Sequence, residues 1–110
     1  MCLGDASTTA SARMVKTYGD YLKSDMVQIA HHGYEGGTSS LYSNIGATVN
    51  IWPVGRGALY TVAKLIEKDY NKSAINLKTV KETFVAADGV FTFALPYTPD
   101  PSHQNTLIEG

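Results

Sequence analysis

Apolar and polar positions switch between two periods along this chain, and the switches mark its elements. Met14, Val15, Tyr18, Tyr21 and Leu22 recur at i, i+1, i+4, i+7 and i+8, one face of an amphipathic helix. Ser7, Thr8 or Thr9 is placed to cap it, and Gly19 interrupts it. Met26 to Ala30 is a short apolar run between Lys23-Ser24-Asp25 and His31-His32-Gly33, which predicts a buried strand. Ser39 to Ile45 predicts a short helix closed by Gly46. Thr48 to Trp52 predicts a second strand, stopped by Pro53. Leu59, Val62, Ala63, Ile66 and Tyr70 return to helical spacing. Two β-rich runs, Glu82–Ala86 and Val90–Leu95, flank Asp88-Gly89 and predict a hairpin. Met1–Asp5 reads as a strand stub ending in a Gly-Asp turn, and the chain beyond Pro96 reads as a loose tail.

Strands alternating with helices predict an α/β layering with helices on one face of a sheet. Length changes this picture little, because 110 residues suffice for one domain. Charge changes it more. Nine basic against ten acidic residues leave a net charge of −1, so there is no basic field to draw in nucleic acid. Charged residues make up 17% of the chain, below the roughly 25% usual for soluble domains, which points to a surface covered by other protein. No apolar run reaches the roughly 18 residues of a membrane span. A single cysteine, Cys2, excludes an internal disulfide and an all-cysteine metal site.

Candidate chemistry gathers at three places. His31-His32-Gly33 follows a predicted strand, where successive side chains face opposite ways, so one of the two histidines looks into any given site. A solvated histidine pair at a strand end accounts for the same spacing. Gly4-Asp5 presents a carboxylate after another strand, though Gly-Asp is also a common turn. The loop Gly33-Tyr34-Glu35-Gly36-Gly37 either clamps a ligand or turns the chain. His103 falls in the predicted tail and reads as solvated, as does Arg56 in its glycine loop.

The order Leu3-Gly4-Asp5, amphipathic helix, Ser24–Gly33, then Val49–Pro53 resembles the C-terminal half of metallo-β-lactamase-fold hydrolases. The nearest branch is the one related to competence-type DNA-uptake proteins. Glu82–Gly89 and Phe91–Pro96 resemble that family's closing hairpin, so the resemblance covers about residues 3–97. It implies an α/β fold, the C-terminal half of an αβ/βα sandwich, with one mixed sheet and helices on one face. Residues 1–97 would form that half-domain and 98–110 a flexible tail.

The resemblance also implies a site. Asp5 would bridge two divalent ions, zinc being the expected metal, and His32 would be a terminal ligand, with His31 as the other candidate. Tyr34 and Trp52 would line a substrate cleft, although core packing explains both more simply. The family's N-terminal His-x-His-x-Asp-His motif and its further histidine have no counterpart here, and two protein ligands fall short of zinc's usual three or four. The expectation is therefore part of a metal-dependent, phosphoester-directed hydrolase, weak in zinc and inactive by itself. The alternative is a non-catalytic α/β assembly module. Either way the sheet would keep one apolar face, drawn from Val27, Ile29, Val49, Ile51, Phe84, Phe91 and Phe93, free for a second copy or for a missing N-terminal half.

Overall fold

The computed structural model describes residues 1–58 and 79–103, and among these residues three short parallel strands and the helices Thr8–Tyr18 and Ser39–Ile45 form the frame. The predicted helix over Leu59–Tyr70 lies outside the described residues. Helix α1, Thr8–Tyr18, starts where the Ser7 side chain accepts the Ala10 N–H at 3.1 Å. It stops at Gly19, whose φ of 45° only glycine adopts cheaply and whose N–H returns to the Val15 carbonyl. Gly19–Leu22 continues as a 3-10 turn. That tightening from 100° to 120° per residue splits the predicted apolar face. Met14 and Val15 stay half-buried and Leu22 is buried, whereas Tyr18 and Tyr21 are exposed.

Strand β1 is Met26–Gln28, and Cys2 bridges to Gln28 in parallel, the remnant of the expected N-terminal strand. Helix α2, Ser39–Ile45, is capped by the Thr38 side chain at the Leu41 N–H, 3.2 Å away. It ends at the left-handed Gly46, as its sequence predicts. Leu41, Tyr42 and Ile45 turn into the core. Strand β2, Val49–Trp52, sits in the centre of the sheet, and strand β3, Glu82–Val85, lies on its far side in the order β1-β2-β3. Met26 pairs with Val49, and Val49 with Glu82.

The described sheet is wholly parallel, not mixed as expected. The hairpin that would have supplied the antiparallel strand does not form. Ala86–Asp88 is a 3-10 turn, and Gly89 leaves it at φ 139°, ψ −164°, an extended geometry rather than the paired left-handed residues of a tight hairpin turn. Val90–Leu95 therefore runs off without strand pairing. Its Phe91 and Phe93 rings instead pack edge-on against Phe84, each with centroids 4.8 Å away.

Nor is the expected bare sheet face seen among the described residues. Val27, Ile29, Val49 and Phe84 are buried and Ile51 is half-buried. Among the described residues, the exposed large apolar side chains lie off the strands: Met1, Tyr18 and Tyr21 before β1, and Phe91, Val90 (97% exposed) and Leu95 (76%) after β3. No described helix is long and apolar enough to cross a membrane.

Beyond Pro96, the described part of the predicted tail is tied down. The Tyr97 hydroxyl donates to Glu82 Oε1 at 2.6 Å, and the Asp100 N–H to the same oxygen at 2.8 Å. His103 Nδ1 pairs with Glu82 Oε2 at 2.8 Å, so this histidine is partnered rather than solvated.

Candidate functional site

Parallel strands end on one side, and the residues that follow them meet there. Asp5 follows the Cys2 bridge, His31 and His32 follow β1, and Pro53 follows β2. This carboxyl edge is where α/β sheets commonly gather ligands. His32 Nε2 lies 3.5 Å from Asp5 Oδ1, with the two side chains 54% and 70% exposed. On the other side of the ring, His32 Nδ1 sits 2.6 Å from the Pro53 carbonyl oxygen. A carbonyl only accepts, so Nδ1 carries a hydrogen and the Nε2 edge of the ring faces Asp5.

Without a proton on Nε2, two acceptors face each other across 3.5 Å. A proton on Nε2 or a cation between them satisfies both. A backbone carbonyl on one imidazole nitrogen with the other nitrogen free is the arrangement that orients a metal-ligating histidine.

His31 behaves differently. Its N–H donates to the Gly4 carbonyl at 2.7 Å, and its Nδ1 donates to the Glu35 carbonyl at 2.9 Å. The ring leans toward Tyr34, centroids 5.7 Å apart. Of the two candidate histidines, the structure brings His32 to Asp5 and folds His31 into its own loop.

The backbone under both histidines is left-handed, with φ/ψ of 51°/40° at His31 and 57°/18° at His32. Only glycine enters this region freely, and each L-residue held there costs about 1–2 kcal/mol. An exposed ion pair returns about 0–1 kcal/mol, less than the strain of two such residues. Packing holds the turn in shape. A Cβ at Gly36 would overlap the Ala6 carbonyl oxygen, so the loop after the histidines is pressed onto the turn that carries Asp5.

The two expected cleft residues divide. Tyr34 is half-buried and packs against the core, near His31. Trp52 is fully buried among core residues. A tryptophan that closes a central strand points its bulk inward. Its Nε1 is buried with no hydrogen-bond partner among the described residues.

As a metal site the donor set is partial. A carboxylate and an anchored imidazole are suitable zinc donors, but among the described residues no group of three or more His, Cys, Asp or Glu is placed to hold an ion. Comparison with family models, with curated proteins and with solved structures gives no match to this chain.

Proposed function

We propose that this chain carries part of the metal centre of a metallo-β-lactamase-type hydrolase directed at phosphoester bonds. Asp5 supplies the bridging carboxylate and His32 a terminal imidazole, and the remaining ligands are not among the described residues. The observation that supports this most is the strained pair of histidines, which presents Nε2 of His32 toward Asp5 while Nδ1 is held by Pro53. Strain retained beside an exposed, weakly stabilising pair is a mark of a functional site. A bound pair of divalent ions would supply an acidified nucleophilic water and Lewis acidity. The chain's own residues orient and hold. Pro53 fixes the His32 tautomer, Gly4 fixes the His31 backbone, and the Gly36 contact keeps the histidine loop against the Asp5 turn. The assembly-module reading is less well supported, because the apolar sheet residues it would expose are mostly buried.

With two ligands, zinc binding is weak. After dialysis the chain should retain well under one zinc per molecule and show no phosphodiesterase turnover. Calorimetric titration should find one weak site that Asp5→Asn and His32→Asn each weaken at least tenfold. Binding indifferent to both substitutions rejects the assignment, and a chelator-resistant stoichiometric pair of metals rejects the two-ligand count.

A further inference from the structure

Two left-handed residues in succession persist only where the surroundings over-determine them. Around His31 and His32 the determinants converge on one buried side chain of α2. The Tyr42 hydroxyl accepts the Ala30 N–H at 3.1 Å, in the buried interior, at the residue just before the histidine pair. On the far side of the same loop, a Cβ at Gly37 would overlap that hydroxyl, so Gly37 and the phenol are in direct apposition. The tyrosine thus sets both the entry and the exit of the segment Ala30–Gly37. Behind it, the fully buried Ser11 hydroxyl of α1 donates to the Gly36 carbonyl at 2.7 Å. Burial raises the Tyr42 phenol above its ordinary pKa of 10, with the Ala30 N–H opposing, so the group stays a neutral hydroxyl across the physiological range.

We infer that Tyr42 is a positioning residue for His32, with Ser11 as its support, and that its hydroxyl rather than its ring bulk sets the ligand geometry; this rests on the reading of Asp5 and His32 as metal ligands. Phenylalanine at 42 would keep the packing and remove the acceptor, leaving the buried Ala30 N–H unpaired. The loop would then relax toward water, and His32 would leave its place between Pro53 and Asp5. Changes in the outer shell of a metal site commonly cost about 10–100-fold in affinity.

The test uses the full chain with cobalt(II) alone as probe, followed by the NMR signals of the His32 ring. Tyr42→Phe should weaken cobalt binding about tenfold, and Ser11→Ala should weaken it by a smaller factor in the same direction. Leu41→Ala, a cavity next door on α2, controls for lost stability and should leave the affinity of the folded protein unchanged. A second readout needs no metal. Nuclear Overhauser contacts between the His32 ring and Pro53 should persist in Leu41→Ala and fade in Tyr42→Phe. Contacts that fade in Tyr42→Phe while the wild-type protein is blind to cobalt sustain the positioning role and reject the metal site. Unchanged contacts and unchanged affinity in Tyr42→Phe overturn the inference, as does an equal loss in Leu41→Ala.

Discussion

The two edges of the sheet treat a carboxylate in opposite ways. At the amino edge, Glu82 opens β3 with its side chain 3% exposed, and it is fully employed. Tyr97, Asp100 and His103 all reach its two oxygens. At the carboxyl edge, Asp5 is open to solvent and faces one histidine at 3.5 Å, on a loop held in strained geometry. Burial makes the first carboxylate structural, since a buried charge without its partners is costly. Exposure makes the second dispensable for folding, so the strain beside it calls for another reason. The comparison separates what holds this fold from what its loops are shaped to do.

Truncation should expose that difference most sharply. Glu82→Ala removes the acceptor for three donors and should cost about 3–5 kcal/mol in urea unfolding. Asp5→Ala should cost no more than about 1 kcal/mol. Equal losses would erase the distinction between the edges.

Alkali probes the same amino edge. Tyr97, donating to Glu82, has its pKa pushed up to about 12, with the nearby carboxylate charges adding to the shift. The folded state therefore holds a proton that the unfolded chain releases near pH 10. The stabilisation is complete below pH 10 and disappears as the pH rises through about 12. Urea midpoints measured across that window should fall in the wild type and fall less steeply in Tyr97→Phe.

The smallest effect concerns strain at the carboxyl edge. His32→Gly and His32→Ala lose the same ring contacts, but only glycine relaxes at φ 57°. His32→Gly should be the more stable of the two by about 1 kcal/mol. The reverse order would mean that the turn is not strained.

Local chemistry made much of this legible in the sequence. Ser7 and Gly46 announce the helix ends they form, and the short apolar runs before His31 and Pro53 become β1 and β2. Motif order puts Asp5 and one of His31 and His32 at the same edge of the sheet, and the structure has His32 3.5 Å from Asp5. What escaped depends on tertiary context. Asp88-Gly89 carries a hairpin signal, yet the Phe91 and Phe93 rings find Phe84 without strand pairing. The Glu82 hub joins residues 15 to 21 positions apart, and no spacing rule connects them. A glutamate opening a β-rich run is the one available sign. Nor does sequence show left-handed histidines, because histidine is ordinary in other conformations.

The most direct test of the Asp5–His32 assignment is X-ray absorption at the zinc edge on the chain loaded with one equivalent of metal. The account predicts a first shell of oxygen and nitrogen donors that includes a single imidazole, which disappears in His32→Asn. A sulfur neighbour from Cys2, or a signal for two or more imidazoles that survives His32→Asn, would contradict it.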